Sequence, residues 1–297
     1  MTNSDEHVER FTLLRPLLFT IAYEMLGSAT EADDVLQDSY LRWAAVDLAT
    51  VHDTRAYLAQ LVTRQSLNAL RAQTRRREDY VGPWLPEPLL LENRDVAADV
   101  VLAESVSMAM LVVLETLSPA ERAVFLLREV FGFDYEEIAA AVGRSAAAAR
   151  QLAYRAREHV QSRRTRFGPV DPQRSRELTA QFLATAASGD VEALVAMLAP
   201  DVVWTADGGG KVNATRRPVT GAERVARLIL RLMRFAGDAG RFEPAVYNNA
   251  PALKLYLGDS FEGILMVEIA DGKVSRLYAM RNPDKLATVL VPRQISR

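Results

Sequence analysis

The stretch from Ser118 to Arg166 constrains this chain more than any other. Ser118-Pro119-Ala120-Glu121 is a helix start. Serine caps, proline takes the first helical position, and glutamate closes a capping box. Asp134 with Glu137 gives a second start. Gly143 breaks that helix, and Ser145 caps the next. Ala139, Gly143 and Ala149 place small residues where two helices cross at a tight turn. The reading is a helix followed by a helix-turn-helix. Its last helix carries Arg144, Arg150, Arg155, Arg157, Arg163, Arg164 and Arg166 against Glu158 alone. A solvated helix mixes signs, whereas one with this bias suits the phosphates of DNA.

The rest of the composition sets bounds. At 297 residues the chain has room for two or three domains. The net charge of −2 does not mark a nucleic-acid binder, so that case rests on local patches. With no cysteine there is no disulfide or thiolate chemistry. His7, His52 and His159 are too scattered for a metal site, and no cofactor is implied. The polar start MTNSDEHVER lacks a signal-peptide pattern, and no apolar run is long enough to span a bilayer. We expect a cytoplasmic protein with no membrane partner.

Near the N-terminus, Phe11, Leu14, Leu18, Ile21 and Met25 recur at helical spacing. Gly27-Ser28 ends that helix, and Thr30, with Asp33 at the box position, is the expected cap of the next. In this second helix Ala32, Val35, Leu36, Tyr40 and Trp43 face inward. Asp34, Gln37, Asp38 and Leu41 form another stripe. The helix dipole accounts for acids in the first turn but less well for Asp38. A third helix begins after Asp53 and runs to about Glu78, with Tyr57, Leu58, Leu61, Val62, Ala69 and Leu70 as its core stripe. Arg64, Asn68, Arg71 and Arg75 share a face at spacings of three and four, extended by Arg76 and Arg77. An acidic helix beside a basic one suggests two partners, a basic protein surface and a nucleic acid.

At this point a resemblance enters. EADDVLQDSYLRW resembles the polymerase-binding helix of bacterial sigma factors, and TRAYLAQLVTRQSLNALRAQTRRRE resembles the −10-binding helix that follows it. LSPAERAVFLLREVFGFDYEEIAAAVGRSAAAARQLAYRAR resembles the −35-binding domain. The order and spacing of these blocks resemble the short extracytoplasmic-function (ECF) sigma factors. The resemblance implies that Asp33, Asp34, Gln37, Asp38 and Trp43 contact or shape the surface facing the β′ subunit of RNA polymerase core. It implies that Arg64, Asn68, Arg71, Arg75, Arg76 and Arg77 lie along −10 promoter DNA. Arg150, Gln151, Tyr154, Arg155 and Arg157 would enter or flank the −35 major groove. The alanine-rich helix start SAAAAR departs from more polar versions. Alanines touch thymine methyls but form no hydrogen bonds, so base reading falls on Arg150, Gln151 and Arg144.

Between the helical parts lies DYVGPWLPEPLLLENRDV, where Pro83, Pro86 and Pro88 exclude a helix. Trp84, Leu85 and their apolar neighbours are unusual in a linker. Two readings stand: Trp84 tucks against a neighbouring helix, or the linker docks on a separate domain. Gly168-Pro169-Val170-Asp171-Pro172 marks a further boundary. Beyond it the pattern reads helix, helix, strand, a third amphipathic helix, and three strands, with Asp271-Gly272 as a hairpin turn. Helices followed by an antiparallel sheet give an α+β domain.

That order resembles the SnoaL-like, ketosteroid-isomerase-like cone fold. The linker motif WLPEP (Trp84, Leu85, Pro86), DGGGK (Asp207, Gly208, Gly209, Gly210, Lys211) and NPDKL (Asn282, Pro283, Asp284, Lys285) resemble an ECF subgroup carrying this domain as a C-terminal extension. The resemblance implies that the extension modulates activity in cis, with interdomain roles for these residues and an unknown small ligand for the C-terminal pocket. The expected domains are a region 2 unit at 1–79, a linker at 80–99, a helix-turn-helix domain at 100–167 and the α+β domain at 173–297. Asp207, Glu262, Glu268, Tyr256 and Tyr278 are acid-base candidates, but no spacing demands catalysis and we expect no enzyme. The rivals are a ligand-responsive helix-turn-helix regulator acting without polymerase and an isomerase-like C-terminal domain.

Overall fold

The computed structural model describes residues 3–92, 99–163 and 172–297, apart from the side chains of 3–4, 74–78 and 172. The chain divides into two compact units. Unit 1 comprises Met1–Asp79, Glu92–Arg164 and Arg293–Arg297, and unit 2 comprises Tyr80–Leu91 and Thr165–Pro292. Two groupings differ from the expected boundaries. Residues 80–91 belong to the α+β body, and the last five residues belong to the helical one.

Unit 1 begins with three mutually packed helices, α1 (Asn3–Leu26), α2 (Ala29–Trp43) and α3 (Thr54–Glu78). Phe11, Leu18, Ile21 and Met25 are buried as their spacing requires, and Leu14 is half-buried. From Leu17 to Ala29 every residue is buried, so the second half of α1 is a central helix rather than a one-faced one. The α1–α2 turn corrects one expectation. Gly27 adopts a left-handed φ of 66° and its N–H returns to the Tyr23 carbonyl at 2.7 Å. That reverses the chain immediately, so the extended Ser28, not Thr30, is the N-cap, accepting from the Glu31 N–H at 3.1 Å.

The second half of unit 1 holds α4 (Val100–Ser105), α5 (Met108–Leu114), α6 (Pro119–Phe125), α7 (Tyr135–Val142) and α8 (Ala146–Arg163). A π turn at Leu126–Val130 follows α6. Both expected capping boxes form, Ser118 with Glu121 and Asp134 with Glu137. Gly143 ends α7 at φ 66°, and Ser145 Oγ accepts from the Ala148 N–H at 3.2 Å. Ala139 and Ala149 are buried where the helices cross.

The two halves of unit 1 pack directly on each other, α3 against α6 and α7. Buried Arg122 donates to the Met25 carbonyl at 2.6 Å, and Arg55 to the Phe131 carbonyl at 3.1 Å. Ser105 Oγ donates to Glu24 Oε1 at 2.6 Å. Glu24 is fully buried, which raises its carboxyl pKa to about 8 despite that hydrogen bond.

Unit 2 is one six-stranded sheet, ordered β2-β1-β6-β5-β4-β3, with helices against it. The strands are β1 (Leu198–Asp207), β2 (Val219–Thr220), β3 (Gly240–Tyr247), β4 (Ala250–Leu257), β5 (Ser260–Ala270) and β6 (Lys273–Met280). The helices are α9 (Pro172–Ser188), α10 (Val191–Met197), α11 (Ala222–Ala236) and the short α12 (Pro283–Leu286). Phe182, Leu194, Trp204, Ile229, Val267 and Leu277 join helices and sheet in one core. Register shifts at Leu255/Tyr256 and Glu268/Ile269 mark bulges, which add local bend and twist to the long strands.

The expected hairpin at Asp271-Gly272 is present, with φ of 51° and 73°. Two details differ from expectation. The sheet is mixed, because β1 pairs in parallel with β6. The stretch expected to hold part of one strand also forms a hairpin of two, β3 and β4, because Asn248 and Asn249 both take left-handed φ. Asparagine tolerates that conformation in a two-residue turn.

Candidate DNA and polymerase surfaces and the linker clasp

On α2, Asp34, Gln37, Asp38 and Leu41 are exposed along one stripe, opposite buried Ala32, Val35 and Leu36. Leu41 is 63% exposed, so the stripe combines an apolar residue with two free-facing carboxylates. Asp33 is only partly exposed. It accepts from Arg15 at 3.2 Å and from Arg293 at 2.7 Å. Trp43 is fully buried, with its indole N–H on the His7 carbonyl at 2.9 Å. It positions α2 and takes no part in the exposed face.

Arg293 belongs to a terminal segment that the sequence reading did not single out. Its guanidinium lies 5.4 Å from the Phe19 ring centroid, and its carbonyl accepts from the Glu92 N–H at 2.9 Å. Ile295 is buried, and the Ser296 N–H donates to Thr20 Oγ1 at 3.1 Å. The Arg297 guanidinium pairs with Asp99. The motif VPRQISR carries no local signature of such a strap.

On α3, Arg64, Asn68 and Arg71 are exposed on one face. Arg71 donates to Asn68 at 3.0 Å, and Arg64 donates to the Ala140 carbonyl of α7 at 2.8 Å. Arg64 thus bridges the −10 candidate helix to the helix-turn-helix. Arg75, Arg76 and Arg77 fall in the last turns of α3, with side chains outside the described residues.

On α8, Arg150, Gln151, Tyr154 and Arg155 are exposed, Arg157 is partly exposed, and Arg144 is exposed in the turn before it. Three of these arginines meet acids from preceding helices. Arg150 meets Glu136 at 3.1 Å, Arg155 meets Glu121 at 3.3 Å, and Arg157 meets Glu129 at 2.6 Å. The Ser118 hydroxyl first, and Arg155 after it, hold the Glu121 carboxyl below its ordinary range, while Glu129 raises the Arg157 guanidinium. Linear sequence shows the basic bias of α8 but not these three carboxylates, which only the fold brings alongside.

In unit 2 the three motifs of the C-terminal resemblance converge. Asp207, at the end of β1, is fully buried. Its Oδ1 accepts from Tyr80 Oη at 2.5 Å and the Gly209 N–H at 3.0 Å, and its Oδ2 from the Leu85 N–H at 2.9 Å and Lys285 Nζ at 2.7 Å. Lys285 also donates to the Leu85 carbonyl at 2.6 Å, and its ammonium lies 3.9 Å from the Trp84 ring centroid. Asn282 donates to Tyr80 Oη at 2.8 Å. Burial and the adjacent Asp207 carboxylate push the Tyr80 phenol well above its ordinary range.

A second anchor lies further along the linker, where Leu89 and Asn248 exchange two bonds of 2.8 and 2.9 Å. Leu85, Pro86 and Leu89 are buried. Of the two readings of Trp84, the linker docked on the α+β body is the one realised.

The glycines of DGGGK answer to space. Gly209 has a φ of 60°, and a Cβ there would lie 2.4 Å from Asn282 Nδ2; one at Gly210 would lie 3.0 Å from Val81 Cβ. Lys211 stands outside the clasp and pairs with Asp284 at 2.7 Å. Pro283 supplies the first turn of α12, which sets Lys285 toward the linker.

The acid-base candidates do not converge. Asp207 is consumed by the clasp, Glu262 pairs with Arg281 at 2.6 Å, and Glu268 lies 3.4 Å from Tyr278 Oη.

The pattern of Sigma-70 region 2 matches residues 11–76, and that of Sigma-70, region 4 matches residues 107–160. The ECF RNA polymerase sigma factor SigJ of Mycobacterium tuberculosis H37Rv is 38% identical over 290 residues, covering 94% of this chain and 92% of that protein. The "Probable ECF RNA polymerase sigma factor SigI" of the same strain is 30% identical, covering 92% of each. The crystal structure of M. tuberculosis SigJ superposes with a TM-score of 0.74 at 35% identity, over 94% of this chain and 97% of that one.

Proposed function

This chain belongs to the extracytoplasmic-function RNA polymerase sigma factors, and on that premise we propose that its α+β unit modulates promoter use in cis by gripping the segment that joins the two sigma regions. As a sigma factor the protein serves transcription initiation, bound to core polymerase and promoter DNA, and it is not an enzyme. Among the described residues no helix is long and apolar enough to cross a membrane.

The exposed stripe Asp34, Gln37 and Asp38, with Asp33 beside it, seats the chain on the β′ subunit. Arg64, Asn68 and Arg71, continued by Arg75, Arg76 and Arg77, follow −10 DNA. Arg150, Gln151, Tyr154 and Arg155, flanked by Arg144 and Arg157, dock on the −35 duplex. Arginines supply affinity through phosphates, and bidentate contacts to guanine supply specificity.

The observation that carries the cis reading is the clasp on Asp207 and Lys285, which binds the linker by backbone and side chain at once. A linker so held restricts the sequence span left to separate the two sigma regions; released, it lengthens that span. Any effector acts by binding the two states unequally. Run-off transcription with core polymerase tests this. Trp84→Ala and Lys285→Met should change transcript yield and promoter affinity relative to the parent chain. Unchanged values for both variants would remove the proposal. Loss of function in Asp34→Ala and Asp38→Ala would separate this reading from a regulator that acts on DNA without polymerase.

A further inference from the structure

Beside the clasp, unit 2 holds a cavity of about 520 Å³. Its size falls in the ~300–1,000 Å³ range of small-molecule sites. Its lining includes the apolar side chains of Val81, Val212, Leu257 and Phe235, and Phe235 is 79% exposed. The lining also carries Lys211, Arg216 and Arg281 against the single carboxylate Glu262. Lys211 and Arg281 are engaged, the first by Asp284 and the second by Glu262 and the Asn213 carbonyl. Arg216 has no hydrogen-bond or ion-pair partner among the described residues.

Three cations against one carboxylate, with the exposed Arg216 guanidinium left to solvent, and the exposed ring of Phe235 in the same lining suit a two-part ligand. We propose that this cavity binds a small organic anion with an apolar body, its charged group on Arg216 and its body against Phe235 and Leu257. An inorganic anion would leave the apolar lining uncovered, and a neutral apolar molecule would make no use of the cationic excess. Val81 belongs to the linker, and Gly210 packs on it, so the site adjoins the clasp. The site nevertheless stands without the cis-modulation reading.

The test uses the full-length chain and two fluorescent probes of one skeleton. 1-Anilinonaphthalene-8-sulfonate carries the anion, and N-phenyl-1-naphthylamine lacks it. Arg216→Gln removes the lining cation. Arg217→Gln, the exposed neighbour outside the cavity lining, removes the same charge from the surface. The sulfonate should bind saturably, be displaced by decanoate, and lose about tenfold in affinity in R216Q, as expected for a lost charged hydrogen bond. R217Q should stay within about twofold of the parent. The neutral probe should not distinguish the variants. Equal losses in R216Q and R217Q, or no saturable sulfonate binding, would overturn the proposal. Because fluorescence reads binding alone, this failure is distinct from that of the transcription experiment.

Discussion

Lys285 Nζ and Asp207 Oδ2 lie 2.7 Å apart with side chains 8% and 0% exposed, and their side chains also bond Tyr80 and the Leu85 backbone of the linker and the Gly209 N–H. A buried pair resists the loss of one partner more than the loss of both. Lys285→Met leaves an uncompensated carboxylate and should cost about 3–5 kcal/mol. The double change Asp207→Asn with Lys285→Met should cost less than the sum of its singles, a coupling that urea unfolding of the four chains measures. Limited proteolysis should find Tyr80–Leu91 newly cleavable in the single variant. Protection unchanged from the parent would mean that the clasp does not depend on the pair.

Arg293 pairs with Asp33, the most shielded of the acids proposed to face polymerase, and would compete with polymerase for it. The pair is partly exposed, at 17% and 30%, so its net worth is about 1 kcal/mol or less. Arg293→Ala should therefore raise affinity for core polymerase by no more than about fivefold. Asp33→Asn should lower it. Anisotropy of labelled chain titrated with core enzyme reads both, and an Arg293→Ala chain that binds more weakly than the parent would contradict the idea of competition.

Glu24 makes unit 1 sensitive to pH in a definite direction. Its folded pKa of about 8 lies above the ordinary carboxylate value because burial disfavours the charge. The folded state keeps a proton that the unfolded state releases once pH passes about 4.5. Stability from this group is therefore fully present at lower pH, falls as pH rises toward 8, and levels off above it. The total is on the order of a few kcal/mol. Glu24→Gln, which keeps an acceptor for Ser105, should flatten the slope between pH 5 and 8 in urea denaturation and gain most at the alkaline end. A parallel slope in the variant would show that other groups set it.

How far the sequence spoke depended on the reach of each signal. The capping boxes at Ser118 and Asp134 and the left-handed Gly143 are settled within four residues, and they were legible. Thr30 failed as a cap because Gly27 had already reversed the chain, leaving Ser28 in the extended position. The apolar linker announced that it docks, but its anchors, Asp207 and Lys285, lie more than a hundred residues downstream, where only the parallel β1–β6 pairing sets them side by side. The strap around Arg293 had no pattern at all. Its contacts are two ion pairs, one cation–ring contact, one buried isoleucine and bonds made by its backbone, none of which imposes a periodicity.

Helix α8 carries a built-in counter-charge, and this gives a salt-dependence prediction. Arg150 is shared between Glu136 and solvent, with both side chains more than half exposed. On duplex DNA its guanidinium would exchange a carboxylate for a phosphate or a guanine edge. Arg150→Gln should weaken binding to −35 duplex and reduce the slope of log affinity against log salt by about 1 if the contact is to phosphate. If the contact is to guanine, discrimination at that base pair should fall by about 1–3 kcal/mol instead. Glu136→Gln removes the intramolecular competitor, and because an exposed pair is worth about 0–1 kcal/mol, it should tighten binding by no more than about fivefold at low salt. Anisotropy of labelled duplex across a salt series measures all three chains. An Arg150→Gln chain with unchanged affinity, slope and base preference would take Arg150 off the DNA and shift the reading of the −35 element to Gln151, Arg155 and the shape of the groove.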